Sequence, residues 1–210
     1  RWAARNGHLE VVNRLLEIAE VRANAAVYSN TPLIQAAMNG HREVVNRLLE
    51  INGVKSSAAA RNNEALRRAA PKGHLKVVNR LLEIEAVRAD AAVYDNGALR
   101  WAARKGHLEV VNRLLEIDEV RANAAARSNQ ALRLAAENGH SEVVHALAKA
   151  QRPLGKQDMP EEMQQYLPLI MAGAQLYTAK REQERVLISA LENKPVWGTK
   201  SLYASSSLGY

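Results

Sequence analysis

A fixed internal period constrains this chain more than any other feature of it. Gly-His stands at Gly7-His8, Gly40-His41, Gly73-His74, Gly106-His107 and Gly139-His140, one pair every 33 residues. Four of the pairs open a nearly identical run: HLEVVNRLLEI from His8, HREVVNRLLEI from His41, HLKVVNRLLEI from His74 and HLEVVNRLLEI from His107. Residues 1–18 differ from residues 100–117 only in carrying Asn6 where the later copy has Lys105. Copies locked in phase describe a stack of small units, because a single globular core needs no translational repeat.

Each unit predicts two helices. In the second unit Asn30 and Thr31 offer N-capping oxygens, Pro32 suits a first helical turn, and Leu33, Ala36 and Ala37 make a stripe of mostly small residues. Gly40 ends that helix, since glycine enters the left-handed region that a side chain resists. A second helix is expected from Glu43 to Ile51, with Val44, Val45, Leu48, Leu49 and Ile51 on one side. Neither helix can bury its apolar side alone. Neighbouring units bury it, at roughly 1.5–3 kcal/mol for each Val or Leu.

The run from Thr31-Pro32-Leu33-Ile34-Gln35-Ala36-Ala37-Met38-Asn39-Gly40-His41 to Leu49 resembles the core of the ankyrin repeat, TPLHxAAxxGHxxVVxxLL. The resemblance covers the first 150 residues, with a partial unit at the start and a final one that keeps Val143, Val144 and Leu147. It implies an all-α solenoid of helix-turn-helix units. It also implies a structural part for the histidines, which would hydrogen-bond exposed backbone at the start of the next helix. The departures matter too. The family His after Pro-Leu is replaced by Ile34, Arg67, Arg100 and Arg133, and the family's Gly-Ala-Asp-Val-Asn loop becomes AEVRANAAVYSN from Ala19 to Asn30. An Ala-rich loop is a poor hairpin tip and a fair helix former, so the projecting hairpin is expected to be altered, tightened into turns or partly helical. The arginine ladder should find carboxylates or loop carbonyls, because like charges one repeat apart repel.

Little in the chain points to catalysis. There is no cysteine, which removes disulfides, thiolate metal sites and a Cys nucleophile. No Gly-x-Ser-x-Gly elbow or glycine-rich phosphate loop occurs, and the acidic residues recur in phase with the scaffold. Successive histidines about 10 Å apart cannot share one zinc, whose nitrogen bonds are about 2.0–2.1 Å. The reading is therefore of a binding scaffold and not an enzyme, with no cofactor and no metal. No run reaches the roughly 18 apolar residues of a membrane helix, so no membrane is expected, and a cytoplasmic monomer is. Similar Ala-rich repeats in ankyrin proteins of intracellular bacteria extend this to an effector secreted into a host cell cytosol.

In ankyrin proteins the partner lies along the concave surface of loop tips and first helices. Carried over by position, the tip column is Tyr28, Arg61, Tyr94 and Arg127, and the residues before each Gly-His include Met38, Lys72, Arg104 and Lys105. These columns vary while the apolar ones hardly change. Tyr and Arg are enriched among interface residues that carry binding energy, so they suggest a basic-aromatic groove for an acidic segment of a protein partner. Packing of the tyrosines over the helix below is an equal alternative. Trp2, Gln35, Arg68, Trp101 and Leu134 share a column that is commonly Leu in the family, which reads Trp101 as a partly buried packing residue. The net charge of +7 raises nucleic acid as a weaker reading, since Glu10, Glu17, Glu43, Glu50, Glu83, Glu109 and Glu116 are interleaved with the cations. Arg1 falls inside a unit, so an upstream part is expected, and a targeting arm of an enzyme lying there is a further alternative.

The repeat pattern breaks after Ala150. The organisation expected is a solenoid over residues 1–150, a helical C-terminal cap over 151–195 and a flexible tail over 196–210.

Overall fold

The computed structural model describes residues 1–151 and Pro168. All of them belong to the first of the chain's two units, Arg1–Gly173. The expected cap over 151–195, Gln151 and Pro168 apart, and the expected tail over 196–210 lie outside the described residues.

The described elements repeat in threes. The first unit holds α1 (Trp2–Arg5), α2 (Leu9–Glu17) and α3 (Ala19–Ala23). The second holds α4 (Val27–Met38), α5 (Arg42–Leu49) and α6 (Asn52–Ser56). The third holds α7 (Ala60–Ala69), a single 3-10 turn at Ala70–Lys72, α8 (Leu75–Leu82) and α9 (Glu85–Ala89). Then come α10 (Val93–Arg104), α11 (Leu108–Leu115) and α12 (Asp118–Ala122), and last α13 (Ala126–Glu137) and α14 (Ser141–Gln151). The first helices stack in the order α1, α4, α7, α10, α13, and the second helices in the order α2, α5, α8, α11, α14.

Two rows of residues make this stacking possible. Leu33, Leu66, Leu99 and Leu132 are buried between first helices, beside Ala36, Ala69, Ala102 and Ala135, whose small side chains let the helices approach closely. Val45, Val78, Val111 and Val144 are buried along the second helices. Each unit thus supplies the apolar wall that its neighbour lacks, and the array coheres through nearest-neighbour contacts.

Where an ankyrin unit projects a hairpin, each connecting loop here carries a five-residue helix, and no strand occurs among the described residues. Alanine favours that choice. Val54, Val87 and Val120 then anchor the short helices by burial to 1, 0 and 0 % exposure.

Polar ladders run across the same junctions. The Nε2 of His41, His74, His107 and His140 donates to the carbonyls of Arg5, Met38, Pro71 and Arg104, at 2.9, 3.2, 3.1 and 3.1 Å. The resemblance placed these bonds at the start of the next helix. They instead reach back to the end of the preceding unit's first helix region, where carbonyls have no partner within the helix. On the second helices Arg47, Arg80 and Arg113 donate through Nε to the Asn13, Asn46 and Asn79 side chains at 2.9, 3.1 and 2.9 Å. Each of these arginines also holds a glutamate three residues on, at Glu50, Glu83 and Glu116.

Candidate functional site

The turns that carry the tip column have an unusual backbone. Arg61, Asn62 and Asn63 have φ of 54, 55 and 57°, Tyr94, Asp95 and Asn96 of 54, 51 and 61°, and Arg127, Ser128 and Asn129 of 54, 53 and 59°. Each triplet is one left-handed turn, closed by a bond from the last amide to the carbonyl four residues back: Asn63 to Ala59, Asn96 to Ala92, Asn129 to Ala125. Left-handed helix costs about 1–2 kcal/mol per residue for anything but glycine, so side-chain bonds must compensate. Asn30, Asn63 and Asn96 are buried, and their Nδ2 donates to the carbonyls of Val54, Val87 and Val120 in the next unit's short helix at 2.8, 2.6 and 2.7 Å. The expectation that Asn30 offers a capping oxygen is therefore corrected: its amide nitrogen acts across the junction, and its Oδ1 has no hydrogen-bond partner.

Arginines close the other side of two turns. Arg67 donates to the carbonyls of Asn62 and Arg61 at 2.8 and 3.2 Å, and Arg100 to those of Asp95 and Tyr94 at 2.9 and 2.8 Å. These replace the family histidine and take the loop carbonyls that the sequence suggested for them. Burial, with Arg127 nearby, lowers the affinity of Arg100 for its proton, and Asp95 acts in the opposite sense. The guanidinium stays charged at any working pH.

The left-handed path aims the first two residues of each turn outward and lets neighbouring tips touch. Asn62 Nδ2 donates to the Tyr94 hydroxyl at 2.9 Å, and the Arg67 guanidinium lies 4.6 Å above the Tyr94 ring. Arg127 Nε donates to Asp95 at 2.7 Å. Arg61 and Arg68 both approach Glu64, at 3.6 and 3.1 Å. Tyr94 nevertheless remains 55 % exposed. At the far end of α10, Trp101 is 44 % exposed with the Arg104 guanidinium 5.1 Å from its ring centre. The packing position expected for Trp101 thus leaves much of the ring in solvent.

Of the tip column, Arg61, Tyr94 and Arg127 are exposed, and Tyr28 lies in α4 at the corresponding position. Arg104, Lys105 and Lys72 are exposed and Met38 is half-buried. The last two share no hydrogen bond or ion pair with the turn residues, although the Met38 carbonyl receives His74. Sequence reasoning left out Asn62, Asp95 and Trp101 as site members. Their signal was the column position they share with other tip and first-helix residues.

The charge is one-sided. Residues 60–72 and 93–105 contain Arg61, Arg67, Arg68, Lys72, Arg100, Arg104 and Lys105 against Glu64 and Asp95. Glu64 serves Arg61 and Arg68, and Asp95 serves Arg127. Among the described residues Arg67, Lys72, Arg100, Arg104 and Lys105 form no ion pair. No group of three or more His, Asp or Glu there is placed to hold a metal, and no described helix is long and apolar enough to cross a membrane.

A stack of helical units joined by nearest-neighbour ladders and carrying a varied outer face belongs to the class of repeat scaffolds. The family model for ankyrin repeats, built of three copies, matches residues 1–95 and 66–158, and the chain belongs to the ankyrin-repeat family. Ankyrin repeats generally mediate protein–protein interaction. A search of curated proteins finds no match.

Proposed function

We propose that the face built from the left-handed turns and first helices of the third and fourth units binds an acidic segment of a partner protein. The observation that carries this is the set of cations without a carboxylate, Arg67, Lys72, Arg100, Arg104 and Lys105, on the two units that hold the exposed Tyr94 and Trp101 rings. Arg67 and Arg100 are already held by backbone carbonyls. Their charge is presented at little further conformational cost, which favours affinity. Tyr28, Arg61 and Arg127 extend the same column, and Met38 flanks it. On this reading the described part works by binding and not by catalysis. The finer version, an effector in the cytosol of a host cell, rests on the Ala-rich repeats alone.

The test is titration of the full chain with poly-glutamate, followed by tryptophan fluorescence, against a Lys72→Glu/Arg104→Glu/Lys105→Glu variant. None of these three side chains makes a hydrogen bond or ion pair in the fold, so its unfolding midpoint should match the parent. Affinity should fall at least about tenfold, equivalent to about 1.4 kcal/mol. Equal binding by the two proteins removes the proposal. Tighter binding of single-stranded DNA than of poly-glutamate, with a steep dependence on salt, replaces it with the nucleic-acid reading.

A further inference from the structure

A different surface is chemically half of a known interface. Val11, Leu15 and Val21 on the first unit are 47, 40 and 37 % exposed, whereas their equivalents Val44, Leu48 and Val54 in the second are 1, 3 and 1 %. The third and fourth units repeat that burial at Val77, Leu81 and Val87 and at Val110, Leu114 and Val120. In those units the preceding unit covers the row. Beside the exposed row lies a cleft of about 540 Å³ whose walls include Leu15, Val21, Ala25, Pro32 and Leu48. Helix α1 has four residues where α4, α10 and α13 have twelve, and the buried leucine of Leu33, Leu66, Leu99 and Leu132 has no counterpart in the first unit.

The polar ladders stop at the same edge with their donors and acceptors still presented. Arg14 pairs only with Glu17 and is 84 % exposed, while Arg47, Arg80 and Arg113 each reach an asparagine of the preceding unit. His8 lies against the Trp2 ring, centroids 4.9 Å apart, while the other junction histidines each find a carbonyl 36 residues back. The carbonyl of Val21 has no asparagine donor, unlike those of Val54, Val87 and Val120. An apolar row, a leucine-sized gap and three polar half-contacts in one register are more than an exposed patch. They specify what fits.

We propose that this face is a docking surface for one further ankyrin repeat joined in register to α1. That repeat brings an asparagine on its second helix to Arg14 Nε, a carbonyl at the end of its first helix to His8 Nε2, and a buried asparagine at the end of a left-handed turn to the Val21 carbonyl. Its last residues complete α1 and put a leucine into the cleft. The chain holds a repeat with all of these features. Residues 67–99 contain Pro71, Asn79, Asn96 and Leu99, and a copy placed directly before Arg1 stands each of the first three at the separation that its ladder requires, 36, 34 and 24 residues from His8, Arg14 and Val21.

The experiment compares the full chain with the same chain extended at Arg1 by a copy of residues 67–99. Amide exchange in α2 and α3 should slow by at least about tenfold, and the thermal midpoint should rise by several degrees. Changing the added copies of Asn79 and Asn96 to alanine should cancel part of that gain. A Val11→Lys/Leu15→Lys pair guards against an extension that does not fold. It should leave the midpoint of the unextended chain unchanged and abolish the gain of the extended one. Unchanged exchange in a helical extended chain overturns the proposal. So does a lysine pair that destabilises the unextended chain, or sedimentation of the unextended chain as a dimer that the lysine pair dissociates, since the face is then covered by something else.

Discussion

At the scale of single residues, the Gly-His pair works as a seat and its occupant in adjacent units. Gly106 has φ 75°, and a Cβ there would come within 2.6 Å of His140 Nδ1 in the next unit. Gly139 has the same φ of 75°, yet a Cβ on it meets nothing within 4 Å among the described residues. The two glycines therefore separate backbone strain from ring seating. Gly139→Ala should destabilise by about 1–2 kcal/mol, the left-handed term alone. Gly106→Ala carries that term and must also move His140 off the Arg104 carbonyl, which adds at least about 1 kcal/mol. Urea unfolding of both variants measures the difference. Equal losses would mean that the glycine serves the turn and not the histidine.

At the scale of elements, the left-handed turn is the feature that sequence reasoning missed, and the reason is physical. Asn30, Asn63, Asn96 and Asn129 recur before each first helix, and asparagine there reads as an N-cap under any local rule. Consecutive positive φ at residues such as Arg61 and Tyr94 runs against local preference. What makes it stable is an acceptor 24 residues away, the carbonyl of Val87 or Val120, which no local pattern displays. The stack, by contrast, was legible, because Leu66, Val78 and their equivalents recur with a period that local rules read directly. The site was legible in part. Tyr94 and Arg127 stood out by variation within their column, but their joining to Asn62 and Asp95 depends on the turn. The turn has its own test in α10. Asn96→Gly keeps the left-handed backbone accessible and deletes the bond to Val120, so it should cost about 1–3 kcal/mol. Asn96→Ala should cost about 1–2 kcal/mol more. Stability ordered Asn, Gly, Ala in chemical denaturation supports the cross-junction bond, and a glycine variant as stable as the parent rejects it.

At the scale of the molecule, stability is a chain of junctions, so a proton taken up at one junction weakens the array on both sides of it. His74 sits at a central junction, with its Nε2 on the Met38 carbonyl at 3.2 Å. Burial lowers its pKa below the ordinary 6.5, the Met38 bond opposes that, and His107, His41 and Lys72 each lower it further. The unfolded chain then takes up this proton at a higher pH than the folded chain does. The stability tied to a neutral His74 is fully present above the unfolded value of about 6.5. It is lost as pH falls from there through the folded value, and the loss levels off below it. Thermal midpoints at about pH 7.5 and about pH 5.5 should therefore drop more for the parent than for His74→Asn. The variant has a lower midpoint at both, because it loses the bond, but a smaller fall between them. Parallel falls in the two proteins would place the acid sensitivity elsewhere in the stack and leave the His74 junction indifferent to protons.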